Sequence, residues 1–475
     1  MAIPSRSPVL PPAAGVGLRV VPPGKLLGLL LPLVLPSIWL GRPAPARAGN
    51  EDPILQGPDA ALTSGAVTAT TADGAAAYYN PAGIAHIDRG QVNLSAQVIQ
   101  LQRLEIDDVI SVQNGPSADG TVTVLPMLPA GVTYGGKVSD RLSWGGGIFV
   151  AQQFAYTLRT ALEGGPEAFP VAVNLALEQR EINTVAGFGL GYEVRPGLRI
   201  GASLLGRYRE QYGALVFSTG NPSPSDPDAP PLASQSFVAA SDSFGAQSAG
   251  VEARIGAQWE PIPELVLAAS VWTPTLAIFT AQQETGFEAA TVDELGPGEN
   301  RSIFVPVSVD ETRFGLDRVN SWRVRAAVAY QASWGWLALD GDVQPAFRNQ
   351  SVGVDRDLVW NLRAGGKVFV AQGTAVGFGL FTDRHAIPKG GGELFQPRIH
   401  LYGGTFGVSY DDTHRLAADE TARKLQFQTG LALRFAYGQG EYSGIQFAAD
   451  EDSIERLVDA RMLELGLYLT SGLFF

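Results

Sequence analysis

From Leu463 to Phe475 the chain alternates almost without a fault and stops on a phenylalanine. Leu463, Leu465, Leu467, Leu469, Leu473 and Phe475 fall on one face, broken only by Ser471. Glu464, Gly466, Tyr468, Thr470 and Gly472 fall on the other, with Phe474 as its one strongly apolar member. A period of two sends successive side chains to opposite faces of a strand. One apolar and one polar face suit a membrane barrel, with lipid outside and a polar or crowded lumen inside. An edge strand of a soluble sandwich would show the same pattern, so this segment alone leaves both open.

The rest of the chain decides between them. Fourteen alternating segments start near Gln91, Ala130, Leu142, Gln179, Leu198, Ala246, Leu265, Asn320, Gly335, Asn361, Thr374, Ile399, Lys424 and Arg461. Each is about as long as a tilted strand needs to cross a bilayer, roughly 9–11 residues or more. Their connections alternate in length. Short ones include 139–141, 195–197, 261–264, 331–334 and 370–373; long ones include 103–129, 158–178, 220–245 and 283–319. One short position, 411–423, breaks the rule. Long loops at one rim and tight turns at the other mark bacterial outer-membrane barrels. The expected fold is therefore all-β, a 14-stranded antiparallel transmembrane barrel over residues 91–475.

The N-terminus reads as an export signal over residues 1–48. Arg6, Arg19 and Lys25 precede the apolar run Leu26–Leu40, and Ala46-Arg47-Ala48 fits small-x-small cleavage. This leader carries five basic residues and no acidic one, so its removal leaves the chain more acidic than the formal −13. So acidic a chain is a poor nucleic-acid binder. Residues 49–90 lie ahead of the first strand and are rich in small side chains. Fourteen strands enclose a lumen too wide for wall side chains alone to fill, which leaves room for this segment as a plug.

Within it stands Thr71-Ala72-Asp73-Gly74-Ala75-Ala76-Ala77-Tyr78-Tyr79-Asn80-Pro81-Ala82-Gly83-Ile84-Ala85. Asn-Pro opens a turn, Pro81 removes a backbone donor, and Gly83 permits a sharp change of direction. With its small-residue lead, its two aromatics and a first strand near Gln91, this block resembles the FadL/TodX family. Those are outer-membrane transporters of long-chain fatty acids and aromatic hydrocarbons. Leu128-Pro129-Ala130-Gly131-Val132-Thr133-Tyr134 and the terminal Phe475 strengthen the resemblance, which spans the mature chain. It implies an N-terminal hatch in the lumen, with Asn80, Pro81, Ala82 and Gly83 as its motif. It also implies a kink in the third strand that opens a lateral exit, and Gly145, Gly146 and Gly147 are the residues here that would weaken and bend that strand.

The expected function is then passive outer-membrane transport of a hydrophobic small molecule; the alternative is a non-transport barrel with a structural or secretion-shuttle role. The expected partners are that substrate, outer-membrane lipid and lipopolysaccharide, and the barrel assembly machinery through Phe475. The lumen arginines Arg207, Arg323, Arg325 and Arg434 are candidates to hold a substrate carboxylate, or to pair with wall acids such as Asp340 and Asp342. No cofactor or metal is expected. His86, His385, His400 and His414 show neither metal-ligand spacing nor the base-and-nucleophile signature of a hydrolase. The apolar stretch 160–177 is expected to be an extracellular loop on which a substrate docks.

Overall fold

In the computed structural model the described residues are 54–125, 128–164, 171–220, 237–293, 300–349, 354–388, 397–412, 426–447 and 454–475. The export signal, the proline-rich stretch 222–231 and His414 fall outside them. The wall runs β1 (Gln91–Val112), β2 (Ser117–Val124), β3 (Leu128–Lys137), β4 (Leu142–Gly164), β5 (Val171–Arg195), β6 (Leu198–Gly220), β7 (Phe237–Ile262), β8 (Leu265–Trp272), β9 (Leu276–Asp293) and β10 (Asn300–Arg318). It continues through β11 (Arg323–Ala332), β12 (Gly335–Gln344), a small hairpin of β13 (Phe347–Asn349) and β14 (Val354–Arg356), then β15 (Val359–Ala371), β16 (Thr374–Asp383), β17 (Pro397–Asp412), β18 (Gln426–Phe447) and β19 (Ile454–Phe474).

Apart from the β13–β14 hairpin these form one 17-stranded sheet. Three positions hold two segments end to end: β2 with β3, β8 with β9, and β10 with β11. The sheet therefore has fourteen crossings, and β1 pairing antiparallel with β19 closes it into a barrel. The short connections are tight turns, two of which need glycine: Gly197 and Gly373 hold φ of 79° and 73°, a region L side chains rarely adopt.

The polarity of the wall is inverted relative to a soluble protein. Val92, Leu94, Phe188, Ile255, Leu380, Phe406, Leu433 and Leu469 are exposed on the outer face. Asn93, Gln97, Arg254, Asp342, Arg434 and Glu464 are buried inside. Such a wall suits lipid on the outside and satisfied polar groups within.

Several of the expected long loops are instead strands that continue beyond the apolar belt. Strands β4 and β5 pair through Gly164 and Val171, and β9 and β10 pair through Asp293 and Asn300. The apolar stretch 160–177 is thus largely the end of a hairpin rather than a docking loop. Its Leu162, Val173, Leu175 and Leu177 turn inward with Leu104, Ile106, Phe217 and Phe447 into an apolar core that fills the outer end of the lumen. Its Ala168 and Phe169 lie outside the described residues.

Residues 54–90 fill the lower lumen. Helix α1 (Pro58–Leu62) packs on β15 to β19, and α2 (Ala76–Tyr79) on β4 to β6. A 3-10 turn, Pro81–His86, packs on β4 to β7. Leu62, Tyr78 and Ile84 are almost wholly buried, each contributing roughly 1.5–3 kcal/mol by burial. Wall glycines make room for this segment. A side chain at Gly256 would strike Asn80, one at Gly201 would strike Pro81, and one at Gly379 would strike Thr63.

Candidate ligand pocket and wall window

The ladder of the second crossing is interrupted. Strand β2 ends at Val124 opposite Gln102 of β1, and β3 begins at Leu128 opposite Gln97. On the other side, β4 pairs with β3 only up to Phe149 opposite Gly131. Above Phe149, β4 keeps its ladder to β5 alone, with a register shift between Val150 and Gln152. Pro129 stands near the start of β3, and proline supplies no ladder donor; residues 126 and 127 lie outside the described residues. Among the described residues this leaves a window between β1, the end of β2 at Val124, the start of β3 at Leu128, and β4.

The N-terminal segment seals the lower edge of this window. Gln56 Nε2 donates to the Val150 carbonyl at 2.6 Å, replacing a lost ladder bond. Ile54 packs with Ala130 and Val150 across the same edge. Gln56 is itself held, since its backbone N–H donates to Tyr79 Oη at 2.9 Å.

Inside the window lies a luminal pocket of about 100 Å³. Gln102, Val124, Gln152 and Gln153 line it at window level. Leu104, Val122, Phe154, Ile399, Leu401 and Met462 form its apolar upper part. Glu464 lies beside Gln102, whose Nε2 donates to Glu464 Oε1 at 2.7 Å. Tyr156 Oη donates to Gln179 Oε1 at 2.6 Å and thereby fixes its ring at the pocket edge. Outside the window, Leu125, Ile99, Leu380, Phe406 and Phe435 line an apolar depression of about 1280 Å³ in the outer wall. Pocket and depression thus adjoin through neighbouring residues: Val124 and Gln102 line the pocket, and Leu125, Leu101 and Ile99 line the depression.

No family model and no curated protein matches the chain. Among solved structures, the Pseudomonas putida toluene transporter TodX superposes with a TM-score of 0.55 at 14% identity, over 89% of this chain and 99% of that one. A Pseudomonas aeruginosa FadL homologue gives 0.52 at 13% identity, over 90% and 99%. The chain has the FadL-type fold. At such identity the likeness is one of fold.

In this FadL-type barrel residues Asn80–Gly83 fasten the N-terminal segment. Asn80 Oδ1 accepts from the Ala82 N–H at 3.2 Å and caps the 3-10 turn. Its Nδ2 donates to the Thr68 carbonyl at 2.9 Å and to Ala257 of β7 at 3.3 Å. Pro81 takes the first position of the turn, where no donor is needed, and Ala82 is fully buried. A side chain on Gly83 would strike the Thr71 carbonyl.

Gly145, Gly146 and Gly147 sit where β4 is laddered on both sides. They let neighbours come close. A side chain on Gly145 would meet Ile87 and Gly74 of the N-terminal segment, and one on Gly146 or Gly147 would strike the adjacent strands. The ladder to β3 runs two pairs beyond Gly147 and ends at Phe149.

The four candidate arginines all face the lumen; Arg323 and Arg325 both stand over the Trp272 ring, Arg207 shares Glu252 with Arg254 over that same ring, and Arg434 stands apart. Arg207 lies 3.1 Å from Glu252, Arg323 lies 3.0 Å from Asp342, and Arg434 lies 3.6 Å from Glu464. Arg325 stands 4.3 Å over the Trp272 ring and 5.6 Å over Tyr79. Of these residues only Glu464 lines the pocket. Asp340 accepts instead from the Thr68 N–H at 2.8 Å and so holds the N-terminal segment.

Two residues that hold this segment were not singled out from the sequence. Arg254 is fully buried between the rings of Trp272 (3.4 Å) and Tyr78 (4.3 Å). It donates to the Tyr78 carbonyl and pairs with Glu252. Glu252 and Arg254 share the polar parity of β7 while Val251 and Ile255 face outward, which is the signal that marks them as luminal. His86 meets Gln258 at 3.1 Å, and His385 stacks on His400 at 4.3 Å. Among the described residues no cluster fit for a metal ion occurs.

Proposed function

We propose that this chain is a passive transporter of small hydrophobic molecules across the bacterial outer membrane. Its substrate crosses the apolar lumen mouth, rests in the pocket above residues 54–90, and leaves sideways through the window into lipid. The observation that supports this most is the alignment of an inner pocket and an outer apolar depression on one interruption of the wall ladder. The FadL-type fold, shared with a structure described as a toluene transporter, agrees with it.

The energetics favour the sideways route. Apolar surface left in water costs about 25 cal/mol per Å², so an aqueous channel would hold such a molecule back. A route from apolar mouth to pocket to lipid keeps that surface covered at each stage. No energy source is then required, since partition into the bilayer drives release. Residues 54–90 act as a hatch, closing the axial path and leaving the window as the way out.

The test is native mass spectrometry of the barrel purified in mild detergent, alone and with added toluene or palmitate. Retention of a small apolar ligand, lost when Val124 is replaced by Trp to fill the pocket, supports transport. A barrel that binds neither compound contradicts it.

A further inference from the structure

At the rim opposite the tight turns, where β16 ends and β17 begins, four basic side chains stand together. His385 stacks on His400 with ring centroids 4.3 Å apart. Arg384 lies 3.6 Å over the Trp360 ring, and Arg398 precedes His400 by two residues on β17. Burial, and then the charges of His400 and Arg398, push the His385 imidazole down to about 4. Arg384 Nε, Arg398 Nε and Nη1, and His400 Nδ1 are buried atoms without a hydrogen-bond partner. Arg398 as a whole is only 3% exposed.

The nearby acids do not supply the missing charge. Glu441 stands opposite Arg398 in the β17–β18 ladder, yet its carboxylate does not reach the open Arg398 donors. Asp383, next to Arg384 in the chain, falls on the luminal parity of β16 with Phe381. A buried guanidinium with open donors carries a desolvation cost that an anion would offset. Arginine's planar fork matches the oxygens of a phosphate.

The cluster lies on the lipid side of the wall. Arg398 and His400 share the parity of Tyr402 and Phe406, which are exposed on the outer face, while Ile399 and Leu401 line the luminal pocket. Tyr402 is two residues, about 7 Å, from His400 along the strand, and it lines the end of the outer depression nearer this rim. Gly379, Gly403, Gly404 and Gly466 leave bare backbone in that depression, flanked by Leu380 and Phe406. Positive charge just beyond the apolar belt therefore stands over an apolar groove, the arrangement that fits a lipid with an anionic head. A free anion would use the cluster and leave the groove empty.

We propose that this corner of the barrel binds one lipopolysaccharide molecule of the outer leaflet, with a phosphate of its lipid anchor on Arg384, Arg398 and the histidine pair and its acyl chains in the depression below. The site stands independently of the transport reading.

Diphosphoryl lipid A, dephosphorylated lipid A, inorganic phosphate and palmitate are each titrated into the full-length barrel in mild detergent, and bound ligand is read by native mass spectrometry. Diphosphoryl lipid A should bind about tenfold tighter than the dephosphorylated form. Arg384→Gln together with Arg398→Gln should remove that difference and leave the dephosphorylated form bound as before. Arg159→Gln, at an exposed arginine of the same rim, should change nothing. The double variant should melt no lower than wild type, since it removes charge that has no counter-ion. Arg384→Gln alone, at a half-buried side chain, replaces it if the double variant fails to assemble. Equal binding of the two lipid A forms by wild type, or an undiminished preference for the phosphorylated form in the folded variant, overturns the site. Inorganic phosphate binding as tightly as diphosphoryl lipid A, or palmitate binding that is lost with the same arginines, assigns the cluster to another anion and overturns the lipid.

Discussion

The side-chain amide of Gln56 donates to the carbonyl of Val150 at 2.6 Å, on the rung where β4 has lost its ladder to the second crossing. A residue of the N-terminal segment thus stands in for a missing strand. The segment is therefore both a filler of the lumen and part of the wall. Movement of residues 54–56 would change the window directly, without any rearrangement of the barrel.

Replacing Gln56 by Ala removes this substitute and leaves the Val150 carbonyl without its partner. The cost is about 1–3 kcal/mol, localised at the window. Planar-bilayer recordings should show more frequent openings for Gln56→Ala than for wild type, with the barrel still folded by heat-modifiable gel mobility.

Asn80 makes three hydrogen bonds, two within residues 54–90 and one to the Ala257 carbonyl of β7 in the wall. Asn80→Ala should lower hatch stability by about 2 kcal/mol, and Gly256→Val should do the same by pushing Asn80 away. Limited proteolysis should then cut within residues 54–90 while the strands stay intact. Equal resistance in both variants would mean that the hatch is held elsewhere.

The hatch should also respond to pH. Burial, and next the charge of Asp59, raise the Asp73 carboxyl from 3.8 to about 6. A raised acid pKa means that the folded hatch prefers the protonated form. Its stabilising contribution is complete below about pH 4 and is lost as pH rises through about 6. Amide exchange in residues 71–79 should be slower at pH 5 than at pH 7.5 after correction for intrinsic rates. Asp73→Asn should remove the difference.

The stacked pair Phe217 and Phe447, 5.9 Å apart, belongs to the apolar core at the outer end of the lumen. Phe217→Ala should cost about 3–5 kcal/mol and loosen that end. Ligand association should speed up while the melting temperature falls.

The fourteen crossings are legible because each keeps a period of two across the apolar belt, with Val92, Leu94 and Leu469 outside and Asn93 and Thr470 inside. Beyond the belt the pattern dissolves for a physical reason. Leu104, Ile106, Leu175 and Leu177 are apolar residues facing the lumen, so the parity that marks a lipid-facing strand no longer applies, and extended hairpins read as loops. Asn80-Pro81 was readable as a turn, but its grip on β7 depends on Gly256, a residue 176 positions away that carries no local signal. Gly145–Gly147 could be read as weak points or as close contacts, and only the neighbouring backbone decides.

The central claim is that ligand passes from the pocket through the window beside Val124. The chain contains no cysteine, so Val124→Cys provides one unique attachment point, and Ser139→Cys, in an exposed turn, provides the control. Uptake of radiolabelled toluene by cells carrying each variant is measured before and after treatment with a bulky maleimide. The account predicts that labelling at position 124 stops uptake and labelling at position 139 leaves it unchanged. Uptake that continues at full rate through a barrel fully labelled at position 124 would contradict it.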